Sequence, residues 1–84
     1  MAKTILESII EKQKQTKQTC DEFGIDYEYE IFNHDKYVVV KEKDLDKDSF
    51  EYHLYGKENS KNKGFICTFP KMRMAMRMIG SLED

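Results

Sequence analysis

From Asp26 onward the apolar residues recur at every second position, whereas upstream they recur with a helical spacing. This change of period is the strongest constraint on the fold. Period two marks a half-buried strand, and a period near 3.6 marks an amphipathic helix. Tyr27, Tyr29 and Ile31 alternate with Glu28, Glu30 and Phe32, and Asn33-His34-Asp35-Lys36 has the composition of a turn. Tyr37 to Lys43 reads as a second strand. A hairpin centred on His34-Asp35 sets Ile31 opposite Val38 and Tyr29 opposite Val40. It also sets Glu28 opposite Lys41, a favourable cross-strand pair. Asp44 to Asp48 is the next turn, and Ser49 to Tyr55 the third strand, with Phe50, Tyr52 and Leu54 on one side. Setting Val40 opposite Tyr52 and Val38 opposite Leu54 keeps that side continuous. Gly56 to Gly64 is a long polar loop, expected to be mobile. Phe65 to Phe69 is the fourth strand, ended by Pro70.

Helices flank the strands. Thr4-Ile5-Leu6-Glu7 is a capping box, which predicts a helix from Ile5 to about Phe23. Its apolar residues are Ile5, Leu6, Ile9 and Ile10, then Cys20 and Phe23; between them only Gln13 and Thr16 continue the inner face. Gly24 supplies a left-handed stop, with Ile25 as its apolar companion. The second helix starts at Pro70, runs to Met78 or Ile79, and stops at Gly80. Met72, Ala75, Met76 and Ile79 form its apolar stripe. Met74 and Met78 fall nearly opposite, among Lys71, Arg73 and Arg77.

The expected fold is therefore α+β: an N-terminal helix, a four-stranded antiparallel meander and a C-terminal helix. Both helices are expected on the face carrying Tyr29, Ile31, Val38, Val40, Tyr52 and Leu54. Phe32, Tyr37, Val39 and Tyr55 would then form an apolar cluster on an open face. Eighty-four residues make one domain, 1–84, with one thin core. An active site enclosed between two domains is excluded.

Charge is unevenly distributed. Residues 25–48 carry eight acids against four lysines, and the last helix is basic. Two cysteines, Cys20 and Cys67, are too few for a disulfide framework, so reduced thiols and a cytoplasmic location are expected. The N-terminal run reads as an amphipathic segment rather than a signal peptide, and no run approaches membrane-spanning length.

No catalytic, metal or cofactor motif is complete. Asp44, Asp46 and Asp48 have the opening spacing of a calcium loop, but Ser49 and Tyr55 stand where its glycine and glutamate belong. His34, His53, Cys20 and Cys67 share no metal-ligand spacing. Cys67 is placed to face His53 across the third and fourth strands, yet nothing in the sequence supplies an oxyanion site for such a pair. Glu28, Glu30 and Glu51 read as solubilising charge.

The reading that remains is a non-enzymatic protein-binding module, a small regulator or inhibitor that masks a partner's surface, with a homodimer as one form of it. Lys71, Arg73, Met74, Arg77 and Met78 are its lead contact residues, because methionine and arginine recur in interface cores. Phe32, Tyr37 and Tyr55 form a second patch. Size, missing chemistry and an excess of lysine over arginine suit an accessory protein of a phage or mobile element. The element order is similar to that of a double-stranded-RNA-binding domain. The alternative partner is accordingly RNA or DNA, held by Lys57, Lys61, Lys63, Lys71, Arg73 and Arg77.

Overall fold

The first helix, α1 (Ile5–Glu22), is fixed at both ends by local hydrogen bonds. At its start the Glu7 N–H donates to the Thr4 hydroxyl and the Thr4 N–H to the Glu7 carboxylate, each at 3.1 Å. Those bonds hold the Glu7 carboxyl below its ordinary range. At its end Gly24 takes φ +68°, Ile25 N–H donates to the Cys20 carbonyl at 2.8 Å, and Gly24 N–H to the Asp21 carbonyl at 3.2 Å. This is a Schellman motif, anticipated from Gly24-Ile25.

A computed structural model describes residues 3–83. After α1 come β1 (Tyr29–Asn33), β2 (Tyr37–Asp44), β3 (Ser49–Gly56), β4 (Gly64–Phe69) and α2 (Met72–Glu83). The four strands form one antiparallel sheet in the order β1-β2-β3-β4. The chain is α+β, with the expected order of elements.

The helices do not share a face. Ile9 of α1 packs with Val38 and Val40, joined by Ile5, Leu6, Ile31 and Tyr55. Ala75 and Ile79 of α2 pack with Tyr37, Val39 and Leu54, joined by Phe32, Tyr52, Ile66, Phe69, Met72, Met78 and Leu82. Successive β2 residues point to opposite sides, so the two clusters lie on opposite faces. The expected arrangement, with both helices on one face, is corrected to helix, sheet, helix.

Register explains the difference. In the second hairpin Val39 pairs with Leu54 and Val38 with Tyr55, one residue away from the expected pairing. A one-residue change turns every side chain of β3 to the other face. The turn, Leu45 to Asp48, is one residue longer than that pairing needs. Asp48 makes this feasible by adopting φ +51°, and the Asp46 N–H donates to Asp44 Oδ1 at 2.9 Å to tighten the bend. In the first hairpin the slip is two residues: Ile31 pairs with Val40, and Lys41 meets Glu30 instead of Glu28. A slip of two leaves the faces unchanged.

The loop after β3 is folded against its neighbours by hydrogen bonds. Ser60 is buried, and its hydroxyl donates to the Lys57 carbonyl at 2.8 Å. The Lys57 N–H donates to the Lys36 carbonyl at 2.9 Å, and Glu58 accepts from the Ile5 N–H at 2.6 Å. The loop therefore ties the first hairpin's turn to the start of α1. Gly56 is buried beneath it, where a methyl group would overlap the Asn62 carbonyl oxygen.

Gly80 does not stop α2, which continues to Glu83. Two alanine substitutions test these placements by urea denaturation. Gly56→Ala is expected to destabilise by more than about 2 kcal/mol, because its collision is with backbone. Gly80 is helical, exposed and without a neighbour within 4 Å of an added Cβ. Gly80→Ala is expected to stabilise by about 0.5–1 kcal/mol; a loss of stability would mean that the helix ends there.

Candidate interaction surfaces

α1 packs over β1 and β2 and reaches Tyr55 of β3, while Phe65 and Thr68 of β4 on the same face are exposed. That edge forms a groove of about 320 Å³ against the helix, lined by Ile5, Ile9, Tyr55 and Phe65, with Lys3 and Lys12 on the helix side. Phe65 is 58% exposed. Its ring meets Tyr55 edge-on at 5.5 Å between centroids and lies 6.5 Å from His53. The pairing with β3 is irregular between Leu54 and Tyr55, with Ile66 as the extra residue of β4. The bulge lets Ile66 join the α2 cluster while Phe65 stays on the α1 face.

Beside the apolar floor runs a polar rail. Tyr27, 2% exposed, donates its phenol proton to Glu42 Oε2 at 2.5 Å. The buried Gln13 amide lies 2.5 Å from the same phenol oxygen. The contacting Gln13 atom is Oε1, and a phenol has one proton to give, so Gln13 and Glu42 share a single donor. His53 Nε2 lies 3.2 Å from Glu42 Oε1 and 3.7 Å from Glu51, off the line of a hydrogen bond, and Nδ1 is 2.9 Å from the Thr68 hydroxyl. Burial first, then the hydrogen bond to Glu42, raises the Tyr27 phenol far above its ordinary value. Burial, then the charge on Glu42, raises Tyr55 as well.

Across the strands His53 pairs with Thr68, whereas Cys67 pairs with Leu54, so the expected Cys67–His53 juxtaposition does not form. Cys67 is exposed and Cys20 is buried in α1. Among the described residues no group of three or more His, Cys, Asp or Glu side chains is arranged to hold a metal ion.

The residues expected on α2 divide. Lys71, Arg73 and Arg77 are exposed, and Met74 is 42% exposed. Met78 is half-buried in the core, while Met76, expected inside, is 39% exposed. Continuation of the helix past Gly80 brings Leu82 into the core, which rotates the buried stripe toward Met78 and away from Met76. The second patch also changes. Tyr37 is 1% exposed and Phe32 half-buried under α2; only Tyr55 borders an accessible surface, the α1 groove.

The cations proposed for nucleic acid are separated. Lys61 and Lys63 are exposed before β4, Lys57 Nζ is engaged by the Asp35 carbonyl at 3.2 Å, and Lys71 follows the far end of β4. Six strand residues span roughly 20 Å, so these groups form no single stripe. No helix among the described residues is long and apolar enough to cross a membrane.

Comparison with known proteins gives no matching family model, no matching curated protein and no matching solved structure. Sequence reasoning placed Phe65 in a strand but missed its exposure, because that depends on where α1 stops covering the sheet. It missed the polar rail because the participants are distant in sequence.

Tyr27→Phe tests the rail. It leaves Gln13 and Glu42 without their shared partner, which is expected to cost about 1–3 kcal/mol at neutral pH. The folded state raises the Tyr27 phenol above its ordinary value of 10.0, so its contribution is complete below that pH and falls as pH rises through it. Urea midpoints measured from pH 8 to 11 are therefore expected to drop more steeply above about pH 10 in the wild type than in Tyr27→Phe.

Proposed function

We propose that the chain is a non-enzymatic protein-binding module, a small regulator or inhibitor that masks a surface of its partner. One observation carries the reading: an aromatic side chain, Phe65, stands 58% exposed over a groove whose other walls are Ile5, Ile9 and Tyr55. An apolar concavity rimmed by polar groups is the usual form of a protein contact site on a small domain. The outer side of α2, with Arg73, Met74 and Arg77, is a second contact surface on the opposite face. Nucleic acid has less support, since the exposed cations are divided between the ends of β4.

Affinity capture from the native host, read by mass spectrometry, tests this reading. Wild-type protein is expected to retain a specific protein, and Phe65→Ser to lose about 90% of it while keeping its circular dichroism spectrum. Retention of nucleic acid instead, with affinity falling steeply as salt rises, would replace the reading. Equal capture by wild type and Phe65→Ser would remove the groove from it.

A further inference from the structure

A four-stranded sheet, with strands about 4.8 Å apart, is nearly twice as wide as one helix, about 10 Å across. Each face therefore has room for about two helices, and this chain supplies one per face. On the α1 face the helix lies over Ile31, Val38 and Val40. The vacant lane beside it runs along β4, where Phe65 and Thr68 are exposed, and is edged by the half-buried Tyr55 and His53 of β3. One wall of the lane is α1 itself, through Ile5, Ser8, Ile9 and Lys12.

Charge at the lane narrows the chemistry of its occupant. Lys3 is engaged by Glu11. Lys12 on the helix wall and Lys63 beside Gly64 make no ion pair among the described residues and are exposed. Lys12 thus places an exposed positive charge on the groove wall, whose lining includes no carboxylate, and Lys63 adds one next to Gly64, while Glu58 is held by the Ile5 N–H at the start of α1.

We propose that this lane takes an amphipathic helix from a partner protein, with its apolar stripe on Tyr55 and Phe65 and acidic residues toward Lys12 and Lys63. The proposal rests on the protein-binding reading above and names the class of partner. Helix-in-groove recognition uses apolar anchors at i, i+3, i+4 and i+7, the spacing that a floor beside a parallel wall accepts. An added edge strand fits less well. It would lie beyond β4 rather than over the floor, and the Ile66 bulge interrupts that edge. A second copy of the chain offers no such helix, because the apolar sides of α1 and α2 are already packed on the sheet.

The test is selection of a displayed library of random 16-residue peptides on wild-type protein, with counter-selection on Phe65→Ser. Selected peptides are then labelled, titrated by fluorescence anisotropy and mapped by amide chemical shifts. Enrichment of net-acidic peptides with apolar residues at helical spacing is expected, with shifts along Ile5–Lys12 and Tyr55–Phe65. Affinity is expected to fall about tenfold or more in Phe65→Ser and about three- to fivefold in Lys12→Glu, the latter loss shrinking as salt rises. Lys12 is exposed, so Lys12→Glu preserves the fold and reports on charge alone. Peptides with period-two patterns, basic peptides, or indifference to Lys12→Glu would overturn the proposal. Shifts confined to Arg73, Met74 and Arg77 would overturn the lane and leave a protein-binding module acting through α2. Enrichment of nothing on any surface would overturn both. Self-association of the unliganded protein, lost in Phe65→Ser, would make the occupant a second copy and overturn the proposal too.

Discussion

Tyr37, Val38, Val39 and Val40 are each at most 1% exposed because α1 and α2 close on β2 from opposite sides. A strand can be buried this way only if its neighbours satisfy its backbone, and β1 and β3 do so along both edges. Fully burying one such side chain is worth about 1.5–3 kcal/mol. Both apolar clusters of the domain meet through this strand. Its register against β3 consequently decides which side chains each helix can reach. A hairpin shifted by one residue would withdraw Leu54 from α2 and present it to α1.

One helix per face also accounts for the vacant lanes, and the two lanes differ in chemistry. On the α2 face the uncovered ground includes Glu30, Lys41 and Phe50, where Lys41 Nζ sits 4.5 Å over the Phe50 ring. Cation and aromatic there complete one another. On the α1 face the uncovered aromatic is Phe65, whose ring has Tyr55 at its edge and no cation above it among the described residues. The first lane is a satisfied surface and the second an unsatisfied one. The functional reading therefore attaches to Phe65 and the α1 wall.

Features governed by near neighbours were legible in the sequence: the Thr4–Glu7 box, the Gly24-Ile25 stop, the order of strands and the alternation within each. Those governed by one residue's conformation were not. Nothing in Asp44-Leu45-Asp46-Lys47-Asp48 announces which aspartate takes the left-handed backbone, and the faces of β3 depend on it. Gly80 misled in the same way, since a glycine near a helix end reads as a stop unless a later residue such as Leu82 has a core to enter. One signal was present and underused. Tyr37-Val38-Val39-Val40 is an unbroken apolar run, and such a run marks a strand covered on both faces. It argued for helices on opposite sides and against an open apolar cluster at Phe32, Tyr37 and Val39.

The rail gives the groove its shape. From Lys12 to Thr19 α1 has no apolar side chain to seat it on the sheet. Gln13 does that work through the buried Tyr27 phenol, which Glu42 of β2 anchors in turn. A polar tether is directional where apolar packing is not: it fixes the rotation of the helix as well as its distance from the strand. Lys17 adds a second tie by donating to the Tyr27 carbonyl at 2.8 Å. With that rotation set, Ile5, Ile9 and Lys12 face the lane over β4 while Lys14 and Gln15 face solvent. The contact that satisfies Gln13 thus helps to fix which residues of α1 line the groove.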